Sequence, residues 1–312
     1  MLLLLASLLP IALIGMLSGG DDEPAPEADA GDGASDVRLG GEGDNTINGD
    51  ADDDLIVGFK GDDLLQGAAG VDLLVGDQGA DTLAGGPGND ILLGGPEDDI
   101  LRGEDGRDLL VGGAGDDSVV GDAGDDVIVG MDGANTLEGG AGNDVLIGLT
   151  PDRQTPSEIL GGLERPDFSE AVAARFGTIA PALEDRILRN LFSVGGEASA
   201  DVMQGGDGDD QLIGDRGDVM TGGAGADAFV ALAPPQPDDP TDPNVGQVVR
   251  VEDFDPLEDR IEVLTEAQGD VALAVEEQEQ GVMVTLNGAD VIYLPGLRAE
   301  QVNVADIVVS RA

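Results

Sequence analysis

Twelve consecutive copies of a nine-residue unit run from Leu39 to Leu146 with no insertion between them, and this period constrains the fold more than any other property of the chain. Counted from its first Gly, the unit reads Gly, then Gly or a small or acidic residue, any residue, Gly, any residue, Asp, any residue, an aliphatic, any residue. Gly85-Gly86-Pro87-Gly88-Asn89-Asp90-Ile91-Leu92-Leu93 is one clean copy. The opening Gly recurs in every copy from Gly40 to Gly139. The sixth place is Asp in ten copies and Asn at Asn45 and Asn135, and the eighth is always Ile, Leu or Val.

The first six places have turn chemistry, with Gly where the backbone takes positive φ or approaches another group closely. The last three are extended, so the central aliphatic faces one way and its neighbours the other. A strand this short needs partners. Two units per 18-residue turn of a parallel coil supply them, because alternate units then stack on each other. Twelve units give six layers, a stack of roughly 29 Å at β-strand spacing. Ile47, Ile56, Leu65, Leu74, Leu83, Leu92, Leu101, Leu110, Val119, Ile128, Leu137 and Leu146 are expected inside. Their flanks, among them Leu55, Val57, Leu64, Leu73, Val75, Ile91, Leu93 and Ile100, should point outward as an apolar face. Such a face marks an interface, or lies under a cover. Asp52 and Glu97 replace the third Gly of their turns and should strain or reshape them.

Composition removes several functions. The 312 residues contain no His and no Cys, which excludes disulfides, thiolate metal sites and imidazole-based hydrolase triads. With 65 acidic against 14 basic residues the net charge is −51, so nucleic acid would be repelled and multivalent cations are natural partners. A disordered acidic tail does not fit 41% hydrophobic content in strict period.

The flanks of the array differ from it. Residues 1–20 form an apolar stretch, read as a membrane anchor or export signal, and 21–38 an acidic linker. Residues 149–195 interrupt the repeats with Pro-punctuated segments at helical spacing, a helical insert holding Phe168, Phe176 and Phe192. A second repeat block follows at 196–230. Its first copy is degenerate, with Asp201 in phase, and Gly214 to Thr221 is one residue short. Phe229 takes the inward place of the last copy and should plug the end of the coil. After a Pro- and Asp-rich linker at 231–246, six short strands and the hairpin signal Asn287-Gly288 make 247–312 a β cap.

The unit is similar to the repeat-in-toxin (RTX, haemolysin-type) calcium-binding nonapeptide. Residues 249–261 resemble the segment that commonly follows the last RTX repeat. The resemblance implies an all-β parallel β-roll, here carrying the helical insert and the small C-terminal β cap. It implies several calcium ions held by sixth-place side chains and main-chain oxygens of the Gly-rich turns, each bridging unit n and unit n+2. One edge would carry Asp54, Asp72, Asp90, Asp108, Asp126 and Asp144; the other Asn45, Asp63, Asp81, Asp99, Asp117 and Asn135; and the second block adds Asp210 and Asp227. Calcium takes six to eight such oxygens. Carboxylates stacked about 5 Å apart repel by roughly 3 kcal/mol per pair at an effective dielectric of 20, so the columns need cations. From Leu39 to Leu146 there are 26 acidic and 3 basic residues, and ten bridging divalent ions would nearly neutralise them. The Asp-only edge should bind more tightly.

These observations together describe a non-enzymatic calcium-binding protein of the extracellular space or cell surface, folded where calcium is plentiful and tethered to a membrane if residues 1–17 are retained. An alternative is a calcium-rigidified adhesin or surface-layer component with an extracellular protein or polysaccharide partner. An accessory module of a secreted enzyme is less favoured.

Overall fold

The computed structural model describes residues 35–148, 200–215, 217–233, 247–265 and 271–311. The helical insert expected at 149–195 and the N-terminal anchor or export signal expected at 1–20 lie outside them. Among the described residues the helical elements are two short 3₁₀ turns, Ala299–Gln301 and Val304–Asp306, and no helix is long and apolar enough to cross a membrane.

Strands leave the turns alternately into two parallel sheets, one of eleven and one of twelve strands. Register is fixed by the 18-residue period: Ile56 pairs with Leu74, Leu74 with Leu92, and Leu92 with Leu110 in one sheet. Leu65 pairs with Leu83 and Leu83 with Leu101 in the other. This is the expected coil. All twelve eighth-place aliphatics are buried and form one core between the sheets, continued by Met203, Leu212, Met220 and Phe229. An 18-residue period closes each strand's hydrogen bonds one turn away, which is how three-residue strands become stable.

The coil absorbs two irregularities. Leu137 pairs with Met203, and the Asn135 N–H reaches Asp201 Oδ1 across 66 residues where 18 is the rule, so the second repeat block stacks in register on the first. The short copy advances by 17 residues, with Asp201 N–H bonded to Asp218 Oδ1.

Phe229 does not plug the coil. It packs edge-to-face on Phe254 at 6.1 Å, and Arg260–Thr265 continues the eleven-stranded sheet past it, pairing Ile261 with Phe229 and with Ile307. Val249–Val251 continues the other sheet. That sheet ends in an antiparallel meander of Leu273–Gln278, Gly281–Leu286 and Ala289–Pro295. Its Asn287-Gly288 corner has φ of 53° and 84°, as a primed hairpin turn requires.

The outward flanks separate by sheet. On the eleven-stranded sheet Leu55, Val57, Leu73, Val75, Leu93, Val111, Val129 and Ile147 are buried in a second apolar cluster. On the other, Leu64 and Ile100 are 37% and 55% exposed. The units beginning at Gly49, Gly67, Gly85, Gly103, Gly121 and Gly139 carry Ile, Leu or Val at both seventh and ninth places, whereas each alternate unit has a polar residue in at least one of them, as in Thr46/Asn48, Leu64/Gln66 and Ile100/Arg102. The single outer face expected from the sequence is therefore two faces of different character.

Candidate metal centre

Each sixth-place side chain lies at the end of its turn, just before the strand, and is buried from Asp54 through Asp227, Asn135 included, while Asn45 is half-buried. One oxygen is used in the stack. Oδ1 accepts the N–H of the sixth-place residue one turn earlier, at 2.7 Å from Asp54 to Asp72 and 2.8 Å from Asp72 to Asp90. The series continues through Asp108, Asp126, Asp144, Asp210 and Asp227. The second column runs from Asn45 through Asp63, Asp81, Asp99, Asp117, Asn135 and Asp201. The two edges expected from the sequence are therefore both present.

The other oxygen separates two kinds of turn, with that of Asp227 apart from both: its second-place Gly223 has φ of 107° and donates to Asp253 Oδ2. In Asp63, Asp72, Asp81, Asp90, Asp99, Asp108, Asp117, Asp126, Asp144 and Asp210, Oδ2 is buried and accepts no hydrogen bond. It lies against the opening Gly of its own unit: a Cβ on Gly85 would meet Asp90 Oδ2 at 2.4 Å, which is why no other residue stands at that place. In all ten turns the second-place residue has positive φ, even where it carries a side chain, as in Phe59, Ala68, Asp77, Glu104 and Asp122 at 73–84°. We call these turns open.

In the closed turns the second-place residue lacks positive φ and its N–H bonds the sixth-place side chain. Asp50 donates to Asp54 Oδ2 at 2.9 Å, Asp215 to Asp218 Oδ2 and Asp255 to Asp259 Oδ2 at 2.7 Å, and Gly41 to Asn45 Oδ1 at 2.6 Å. Left-handed backbone at a residue with a Cβ costs on the order of 1–3 kcal/mol. Five of the ten open turns bear that cost, and all ten leave a buried carboxylate oxygen without a donor, which a bound cation or a proton would compensate.

Burial, helped in most cases by neighbouring carboxylates, pushes Asp63, Asp108, Asp126, Asp144 and Asp210 up to about 6, and Asp72, Asp81 and Asp117 to about 7. Asp90 rises to about 8 and Asp99 to about 9. Desolvation penalises the charged form when no positive charge is near. All available donors are carboxylate and carbonyl oxygens, the hard set that suits calcium. The residues fit that ion.

Two departures from Gly at the fourth place behave differently. Glu97 holds φ of 77°, a strained residue in an otherwise ordinary turn, whereas Asp52 lacks positive φ and lies in a closed turn. Asp36, Asp50 and Asp54 bring carboxylate oxygens within 4.8 Å of one another, and the Arg38 guanidinium sits among them.

Sequence reasoning missed three features. Asp218 is fully buried in the second column, but its copy is one residue short, which moved it out of phase. Asp259 serves as a sixth-place residue, accepting the Asp227 N–H, in a stretch with no Gly at all. The third is a ladder at the fifth place running the opposite way. Asp53 Oδ1 accepts from Val71, Asn89 from Arg107, Asp98 from Asp116 and Asp125 from Asn143, each 18 residues later. Frequent Asp or Asn beside the sixth place was the available signal.

The family of RTX calcium-binding nonapeptide repeats matches this chain in overlapping stretches across residues 31–149 and again at 196–218. Among solved structures the chain is similar to the extracellular lipase LipA from Serratia marcescens, at 12% identity and a TM-score of 0.25. That alignment covers 88% of this chain and 40% of the lipase chain, so the chain spans well under half the lipase's length. No curated protein sequence matches.

Proposed function

We propose that this chain, whose residues 31–149 and 196–218 are RTX calcium-binding nonapeptide repeats, is a non-enzymatic calcium-binding β-roll that folds on binding calcium outside the cytoplasm. One observation carries the reading: ten buried Oδ2 atoms without a donor, each in a turn whose second-place backbone is held left-handed. Calcium would supply the positive charge these oxygens lack. Sixth-place carboxylates would hold it together with turn carbonyls, while their Oδ1 atoms fix spacing along the stack. The absence of His and Cys from the chain supports a binding role over catalysis.

Modules of this kind suit calcium at extracellular concentration, with affinities on the order of 10⁻⁴–10⁻³ M. Metal binding then provides folding free energy, and the acidic array stays unfolded where calcium is scarce. Circular dichroism of the full chain at pH 8 tests the proposal. A β signal should develop on adding calcium and vanish with chelator; the same signal in both conditions rules the reading out.

Exposed aliphatics on the outer side of the twelve-stranded sheet, Leu64, Ile100 and Val202, favour a further reading in which the calcium-stiffened roll is an adhesin or surface-layer component. Recovery of an extracellular protein or polysaccharide on the immobilised chain in calcium, and its release by chelator, would support it. A tether through residues 1–17 belongs to the same reading and is tested by sequencing the mature N-terminus.

A further inference from the structure

Two places in the columns are filled by nitrogen from the chain itself, and there the fit to calcium fails. In the turn that opens at Gly130 the sixth-place residue is Asn135. Its Oδ1 accepts the Asp117 N–H at 3.0 Å, the bond every column residue makes, so the amide is oriented with Nδ2 toward the turn. Nδ2 donates to Met131 O at 3.3 Å and Gly133 O at 3.1 Å, the carbonyls of the second and fourth places. A Cβ on Gly130 would meet Nδ2 at 2.6 Å, just as one on Gly121 would meet Asp126 Oδ2 at 2.4 Å. The nitrogen thus stands where the open turns hold their orphaned oxygen. Met131 also has the positive φ of an open turn, 79°. The turn is built like its neighbours but is satisfied by an amide nitrogen, which has no lone pair to offer a metal and engages both carbonyls.

Arg38 plays the corresponding part at the start of the other edge. Its side chain is 5% exposed and lies 2.6 Å from Asp50, 3.0 Å from Asp36 and 3.8 Å from Asp54, and it donates to Asn48 O. Asp54 Oδ2 is already taken by the Asp50 N–H.

We propose that Asn135 and Arg38 are built-in substitutes for calcium, each taking the place of an ion in one turn of its edge. The inference rests on the calcium reading above. Among the described residues, open turns then run from Asp72 to Asp210 on one edge and from Asp63 to Asp117 on the other. Asn135 stands where this matters most: its turn stacks on that of Asp201, 66 residues further on. Bringing together groups 66 residues apart in sequence is entropically costlier than bringing together groups 18 apart. An amide closes this layer without waiting for an ion. Arg38 gives the first layer a permanent positive charge, so stacking has a template before any ion binds.

The test counts calcium bound by the full chain in equilibrium dialysis with radioactive calcium at pH 8, alongside circular dichroism. Asn135→Asp should bind one ion more than the wild type. Asp117→Asn, which introduces the same amide one turn earlier, should bind one fewer and still fold in calcium. Arg38→Gln should gain an ion, whereas Arg38→Lys, which keeps the charge, should not. If the wild type binds calcium and Asp117→Asn retains the full number, the amide does not close a turn and the inference fails alone. An unchanged count in a folded Asn135→Asp overturns it in the same way. A wild-type chain that binds no calcium overturns the parent reading as well.

Discussion

Acid should replace calcium as the agent that folds the roll. In the calcium-free folded chain, burial above all holds the open-turn carboxyls between about 6, as at Asp108, and about 9, at Asp99, against 3.8 for an ordinary aspartate. The folded roll therefore binds more protons than the unfolded chain. Its stability is greatest below 3.8 and is lost as the pH rises through 6 to 9. Moving from pH 8 to pH 5 relieves about 1.4 kcal/mol at a carboxyl held at about 6, and about 4 kcal/mol at one held at about 9. A few such groups together equal the roughly 5–15 kcal/mol that stabilises a whole domain. The assay is far-ultraviolet circular dichroism in excess chelator, stepping from pH 8 to pH 5, where the chain, with a pI near 4.1, still carries negative charge. Little β signal is expected at pH 8, with a rise between pH 7 and pH 5; with excess calcium the signal should be present throughout. A chelated chain as strongly β at pH 8 as at pH 5 would refute the argument that buried, uncompensated carboxylates hold the roll apart.

Other perturbations separate backbone, core and edge contributions. Gly106→Ala places a Cβ 1.4 Å from Gly88 O at φ of 146°, so the calcium-loaded protein should lose at least about 1–3 kcal/mol, read as a lower melting temperature. Gly43→Ala, with nothing within 4 Å of the new Cβ, should stay within about 0.5 kcal/mol. Leu110→Ala empties a fully buried core position and should cost about 2–5 kcal/mol in a denaturant melt with excess calcium. Asp90→Ala interrupts the longer run of open turns and Asp99→Ala the shorter, so calcium titration should show the larger loss of affinity for Asp90→Ala. A larger loss for Asp99→Ala would contradict the ranking of the two edges.

Much of this was legible in the sequence because a strict period leaves one solution to strand pairing. Ile56, Leu74 and Leu92 share a phase, and the 18-residue register follows from stacking alternate units. Asn287-Gly288 fixed a hairpin locally. The outer faces were misread because the flanks were pooled rather than sorted by alternate units, which would have set Val57 and Val75 apart from Asn48 and Gln66. The state of each turn was not legible at all. Gly41 closes and Gly86 opens, and Asp50 closes while Asp122 opens, although the residue types are the same. Conformation there depends on where the turn lies in the stack, with closed turns at the first layer and at the approach to the C-terminal sheet extension. Nor does a nonapeptide pattern find Asp259, which keeps the geometry of a sixth place by accepting the Asp227 N–H at Oδ1 and the Asp255 N–H at Oδ2.

The most direct test of the central claim is the number of calcium ions bound by the wild-type chain at pH 8, measured by titration calorimetry while the β signal is followed in parallel. The ten open turns among the described residues predict about ten ions or more, with binding and β structure developing over the same calcium range. Saturation at one or two ions, or full β structure before any calcium is added, would contradict the account.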